Sequence, residues 1–287
     1  MISVALLPEG SVSDEAAHYL FGDSEVKWNH YKPIADVFLS TAGEKTDYSI
    51  IPIENTIEGS VSLHLDWLVN EVDLPIQAEW VYPSIQNLIG HRNELVNPDG
   101  TLASERIVKV LSHPVALAQC TQYLRNHLPH AELEQISSTV EAVRLVKENP
   151  DAGWAAIGTQ SGARVHGLDV LCQGVTDHSN NYTRFLLVGS KPFEARTSDV
   201  RKTSVVIHLP EDYPGALHQV LSAFAWRRIN LSKIESRPTK KRLGNYYFTI
   251  DIEMPIESVL LQSAISEIEA IGCQIRVLGS YPSFSYK

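Results

Sequence analysis

Up to about Gly189, a short apolar run, a polar turn and an amphipathic stretch follow one another at least five times, a rhythm that few folds accept. Residues 4–7 lead through Pro8-Glu9-Gly10-Ser11-Val12-Ser13 into a helix expected over 14–20, with Ser13 as its N-cap. Residues 48–53 end in Glu54-Asn55-Thr56, and a helix follows with Val61, Leu65 and Leu68 on one face. Residues 106–111 precede Ser112-His113-Pro114 and a helix over 115–128, its proline tolerated in the first turn. Ser137 or Ser138 caps a helix holding Val140, Val143 and Val146, and residues 155–157 reach a further helix through Gly158-Thr159-Gln160. Strand, turn and helix in this order predict an α/β fold with mainly parallel strands.

Such folds hold ligands at strand ends, where polar groups face a crevice. Two clusters stand at such ends. One is Ile51-Pro52-Ile53-Glu54-Asn55-Thr56-Ile57-Glu58-Gly59-Ser60, the other Asn180-Asn181-Tyr182-Thr183-Arg184-Phe185-Leu186-Leu187-Val188-Gly189. Each strand-to-helix turn also presents free backbone N–H groups and the positive end of a helix dipole. Hydroxyls at those turns (Ser11, Ser13, Thr56, Ser112, Ser138, Thr159) add donors, so converging turns suit a ligand with more than one carboxylate. For any one of these residues taken alone, a simple capping role is the better reading.

A chain of 287 residues has room for two or three α/β units, and its net charge of −10 makes it a poor partner for nucleic acid. Lys240-Lys241-Arg242 reads as a solvated hairpin turn ahead of Gly244-Asn245. Cys120, Cys172 and Cys273 are far apart and form neither a metal spacing nor a disulfide framework, so reduced thiols are expected. The first residues lack the marks of a leader and no stretch has membrane-spanning length, which places the expected protein in the cytoplasm.

From residue 191 to 202 the composition turns polar and aperiodic, as a linker does. A second pattern follows: strand 203–209, helix 215–228 with Leu217, Leu221 and Phe224 aligned, strands 230–236 and 246–253, helix 257–271 and strand 274–278. The order βαββαβ is the ferredoxin-like split fold.

The motifs in this order resemble the prephenate dehydratase family. Pro52-Ile53-Glu54-Asn55, Ser112-His113-Pro114 with Ala118-Gln119-Cys120, and Thr183-Arg184-Phe185 follow its pattern, and Leu7 replaces the glycine usual before Pro8. Asp212-Tyr213-Pro214-Gly215-Ala216-Leu217 and Ile234-Glu235-Ser236-Arg237-Pro238 resemble the signature segments of its ACT regulatory domain. The resemblance is to the monofunctional form, with no chorismate-mutase segment expected ahead of residue 2. It implies two α/β lobes around a cleft over 1–190, similar to type II periplasmic binding proteins, then the linker 191–202 and the ACT domain 203–280. It further implies loss of water and carbon dioxide from prephenate to give phenylpyruvate, without metal or cofactor. L-Phenylalanine is implied as effector, bound between ACT domains of a homodimer or homotetramer.

In the resemblance Thr183 is the catalytic threonine. Ser11, Ser13, Glu54, Asn55, Thr56, Ser112, His113, Gln119, Arg184 and Phe185 are its expected substrate contacts. A free aliphatic hydroxyl is a weak acid, so Thr183 works as a hydrogen-bond donor or through a relay, with Glu54 and His113 as candidate members; for His113 a plain helix-start role stands equally open. In an extended strand Arg184 points away from the face of Thr183 and Phe185. Gly215, Ala216, Leu217, Asn230, Leu231, Glu235 and Ser236 are the expected effector contacts; for Glu235 and Arg237 a surface ion pair is the plainer alternative. Two other functions stay open: an arogenate dehydratase, and a non-catalytic amino-acid sensor. His18, His64 and His166 show no ligand spacing and read as structural or exposed.

Overall fold

The computed structural model describes residues 1–194, 196, 198–211, 213–239 and 246–286. The basic triplet at 240–242 and its turn, together with Asp212, lie outside them. By contacts the chain forms two compact units, one of Met1–Leu65 and Val81–Phe185 with Tyr286, the other of Asp66–Trp80 and Leu186–Ser285.

The first unit carries two sheets. In one, Ile2–Leu6 runs parallel between Val26–His30 and Tyr48–Asn55, and the first unit's part of the strand Tyr182–Val188, residues 182–185, lies beyond the latter. The other has the order Asp169–Cys172, Asn87–Gly90, Trp154–Gly158, Lys109–Ser112, Glu132–Gln135. Lys109–Ser112 is parallel to both neighbours and Asn87–Gly90 antiparallel to both of its own. Successive residues of these short strands are buried on opposite faces. Leu88, Val110 and Ala155 pack with Leu117 and Leu124, while Ile89, Leu111 and Ala156 pack with Val143 and Val146. Helices on both faces explain why these strands read as continuous apolar runs rather than alternating ones.

Several local boundaries differ from the expectation. The first helix is Val12–Phe21 and Ser11, not Ser13, is its N-cap, with its side chain accepting from Asp14 N. Gly10, at φ 79°, turns the chain earlier than the serines alone reveal. The helix expected over 115–128 is two helices, Pro114–Ala118 and Thr121–His127. The break is held by Asp177, whose carboxylate takes Gln122 N and Tyr123 N at 2.9 and 3.1 Å. After the short helix Ser62–Asp66 the chain winds into a π-helical turn, Trp67–Glu71.

In the second unit the strand order is Leu231–Pro238, Tyr246–Ile252, Arg201–His208, Gln274–Phe284, all antiparallel. Helices Ala216–Ala225 and Val259–Ala270 cover one face over a core of Val205, Val220, Phe224, Ile250, Leu261 and Ile268. This is the split βαββαβ order. Residues 66–80, expected in the first domain, cluster here because Gln274–Phe284 is longer than its expected end at 278 and pairs in parallel with Ile76–Pro83 through Ser283 and Phe284. Lys202 and Ser283 both reach the buried Glu79, at 2.7 and 2.6 Å. Among the described residues no helix is long and apolar enough to cross a membrane.

Two segments of the first unit meet at Gly10 and Gly162. A side chain at Gly10 would place its Cβ 2.8 Å from Gly162 Cα, and Thr159 Oγ1 donates to Gly10 O at 2.6 Å. Positive φ and backbone contact both oppose any larger residue. Gly10→Ala is expected to cost about 1–3 kcal/mol of stability, read from denaturant midpoints.

Candidate active site

Asn55 ends the strand Tyr48–Asn55, and its carboxamide is fixed from both sides. Its Oδ1 accepts from Ile57 N at 2.8 Å and Glu58 N at 3.1 Å, an Asx turn that leaves Nδ2 as the outward donor. That Nδ2 lies 2.8 Å from Asn181 Oδ1, 3.1 Å from Tyr182 O and 3.0 Å from Thr183 Oγ1. Asn181 in turn donates from Nδ2 to Ser84 O at 3.0 Å and to Gln119 Oε1 at 2.9 Å. With its oxygen so used, Gln119 keeps its amide N–H groups as donors, placed where the helix Pro114–Ala118 stops. Ser84 Oγ stands 2.6 Å from Thr183 Oγ1. The result is a chain of neutral donors and acceptors around one threonine hydroxyl.

That hydroxyl faces a cavity of about 710 Å³. Of the expected contacts, Ser11, Ser13, Asn55, His113, Gln119, Thr183 and Phe185 line it. Four do not. Ser112 is fully buried and donates to Ile157 O at 2.7 Å, tying two strands. Thr56 donates to Asn180 O and accepts from Tyr182 N, clipping its turn to the other cluster. Arg184, on the alternate face of its strand, reaches Glu54 at 3.5 Å, and neither lines the cavity. Ser84, Gln86 and Lys32 line the cavity without any motif to mark them in sequence, and Asn181 stands within a quoted cluster but unmarked.

Two ten-residue helices, Val12–Phe21 and Thr139–Glu148, start at the cavity wall, capped by Ser11 and Ser138. Their first-turn N–H groups and Lys32, the one permanent cation among the described lining residues, offer donors to a carboxylate, against the Glu58 and Glu141 carboxylates on the same wall. Val61, Val115, Ala116, Val140 and Phe185 supply apolar wall. Behind the Ser11 loop, burial penalises the Asp14 charge, but bonds from His30 and Gly10 N outweigh it and hold the carboxyl below its usual 3.8. His64 is half-buried and desolvation pushes its pKa down; the neutral ring meets Pro52 O at 2.6 Å from Nδ1, a structural role.

In the second unit, Gly215 precedes its helix at φ 94°, and a Cβ at this position would meet nothing within 4 Å. Ala216 is buried, whereas Leu217 and Leu231 are half-buried. Asn230 donates to Glu253, Glu235 pairs with Lys233 at 3.5 Å, and Ser236 is exposed on the edge strand. Arg237 is not merely a surface partner of Glu235: it pairs with Asp66 at 3.0 Å, which also accepts from Tyr247 Oη.

The chain thus joins an α/β unit with a hydroxyl-and-amide cavity to a split βαββαβ unit, an architecture shared by enzymes that carry a ligand-sensing module. The prephenate dehydratase family model matches residues 4–193 and the ACT domain model residues 203–270. The prephenate dehydratase of Bacillus subtilis is 38% identical over 260 residues, 88% of this chain and 89% of that protein. That of Methanocaldococcus jannaschii is 38% identical over 280 residues, 97% of each. The crystal structure of the Arthrobacter aurescens prephenate dehydratase in complex with L-Phe is 30% identical, with a TM-score of 0.85 over 98% of this chain and 90% of that one. The chain belongs to the prephenate dehydratase family.

Asn55→Ala removes one donor and the acceptor of a turn at once. It is expected to lower stability by about 1–3 kcal/mol and to leave Thr183 without its amide partner. Unfolding curves and substrate turnover, measured on the same preparation, check both effects.

Proposed function

We propose that this chain converts prephenate to phenylpyruvate, releasing water and carbon dioxide. The observation that carries this reading is the Thr183 hydroxyl at the cavity, its oxygen accepting from Asn55 Nδ2. Prephenate bears a ring carboxylate and, across the ring, a hydroxyl; both depart as the ring becomes aromatic. The enzyme therefore needs a proton donor at the hydroxyl, anchors for two carboxylates and an apolar floor. Thr183 is the donor. The helix starts at Ser11 and Ser138, with Lys32, Gln119 and Asn55, take the carboxylates, and Phe185 with the valines holds the ring. Catalysis resides in residues 1–190, which 191–202 link to a regulatory domain at 203–280, and the working compartment is the cytoplasm.

Incubation of purified protein with prephenate and, separately, with arogenate tests this reading. Phenylpyruvate from prephenate is expected; phenylalanine from arogenate alone would make it an arogenate dehydratase, and no product from either would leave a sensor. Thr183→Ala is expected to lower kcat about 10²–10⁴-fold with binding largely kept, and Thr183→Ser to retain more.

L-Phenylalanine is proposed as effector, its carboxylate at the Gly215 turn and its ring near Leu231 of a second copy in a homodimer or homotetramer. The exposed edge strand Leu231–Pro238 and the open space at Gly215 support this placement. The effector must favour one assembly state, since equal binding to both shifts nothing. Inhibition by L-phenylalanine is expected in the native chain and lost in Gly215→Val, with uninhibited turnover retained. Inhibition that survives the substitution would place the effector elsewhere.

A further inference from the structure

The Thr183 hydroxyl has a neighbour that carries no motif. Ser84 follows the strand Ile76–Pro83, is 4% exposed, and places Oγ 2.6 Å from Thr183 Oγ1. Asn181 holds its backbone from both sides: Ser84 N donates to Asn181 O at 2.8 Å, and Ser84 O accepts from Asn181 Nδ2 at 3.0 Å. The hydroxyl is thus aimed by a fixed main chain rather than by a free rotor.

Either hydroxyl can donate across this contact, and the surrounding groups decide what each choice leaves for the cavity. Among the described residues Thr183 Oγ1 is the acceptor within reach of the Ser84 hydroxyl. Thr183 Oγ1 also accepts from Asn55 Nδ2 at 3.0 Å. With Ser84 donating, both lone pairs of Thr183 Oγ1 are engaged and its own proton is left for the cavity. With Ser84 accepting instead, that proton would be turned away from any ligand.

We propose that Ser84 is a positioning residue for proton transfer, donating to Thr183 Oγ1 so that Thr183 presents its proton and its developing alkoxide is stabilised. This rests on the reading of Thr183 as proton donor in the dehydration. In the step, the Thr183 O–H bond breaks and its proton joins the departing ring hydroxyl. The ring C–O bond breaks with its electron pair leaving on water. The bond from ring carbon to carboxylate breaks, its pair enters the ring, and carbon dioxide departs. The alkoxide on Thr183 then regains a proton from solvent, so that the conversion of the prephenate dianion to phenylpyruvate, carbon dioxide and water consumes one proton overall. Hydrogen bonds from Ser84 and Asn55 strengthen as that negative charge forms, which is the condition for lowering a barrier rather than merely tightening binding.

The test is a double-mutant cycle on the full-length protein with prephenate as substrate, accompanied by thermal melts. Ser84→Ala is expected to lower kcat about 10- to 100-fold with KM changed less than about threefold. Ser84→Thr, which keeps the hydroxyl, is expected to recover most of the loss. In a Thr183→Ala background, Ser84→Ala is expected to have no further effect, because its route runs through the missing hydroxyl. Should Ser84→Ala fail to fold, Ser84→Cys, of similar size with a weaker donor, replaces it, with the same split and a smaller loss. A rise in KM at constant kcat, a full additional loss in the Thr183→Ala background, or unchanged turnover in Ser84→Ala beside an inactive Thr183→Ala would each overturn the assignment. Normal turnover in Thr183→Ala would instead refute the reading of Thr183 itself.

Discussion

The Asn55 carboxamide is the interaction on which the site of the first unit depends. Its oxygen closes the turn after its own strand, so its nitrogen has a single direction left, toward residues 181–183. Two segments more than a hundred residues apart are thereby registered through one planar group. A charged side chain would not serve as well here. An aspartate at this position has no donor for Asn181 Oδ1 or Tyr182 O, and an uncompensated charge would sit beside the hydroxyl whose own charge must develop. The carboxamides of Asn181 and Gln119 extend the same logic, each using its oxygen as acceptor and passing a donor onward.

A second constraint lies at the Gly10 turn. The Thr159 hydroxyl accepts from Gly162 N and donates to Gly10 O, while Glu15 accepts from Ser161 N. A helix cap in one part of the unit therefore doubles as a clamp on the loop carrying Ser11. Asp14 completes the clamp by accepting from Gly10 N, and His30 meets its other oxygen at 3.1 Å. The Asp14 carboxyl is held below its usual pKa of 3.8, so the stability it contributes is present above that value and is lost as pH falls through the lowered one. The loop keeps its shape across the neutral range.

What was legible in sequence is the part governed by local chemistry. Apolar runs buried on both faces, capping hydroxyls at Ser138 and Thr159, and the βαββαβ order all follow from residues near one another in the chain. What was not legible depends on partners far away. The helix break at Gln119-Cys120 is made by Asp177, Ser112 is turned from the cavity by Ile157 O, and Arg237 is claimed by Asp66. The choice between Ser11 and Ser13 as cap was decided by the left-handed Gly10, where either serine alone fits the pattern. Ser84 had no signal at all, since a lone serine after a strand reads as a turn.

The electrostatic balance of the cavity fits the proposed reaction in one further respect. The chain carries a net charge of −10, and the proposed substrate brings two carboxylates. A carboxylic acid as proton donor would become a third negative group beside them once it had reacted, and like charges at such range oppose one another. A carboxyl group of ordinary acidity there would already be ionised at neutral pH with no proton to give, whereas a hydroxyl keeps its proton and avoids that charge before the reaction. It carries it only while the ring is aromatising and carbon dioxide is leaving, when the bond changes themselves supply the driving force. Weak acidity in Thr183 is thus compatible with catalysis because the helix starts and Lys32 set positive potential against the Glu58 and Glu141 carboxylates of the wall, while the groups that touch the Thr183 hydroxyl, Asn55 and Ser84, do not titrate.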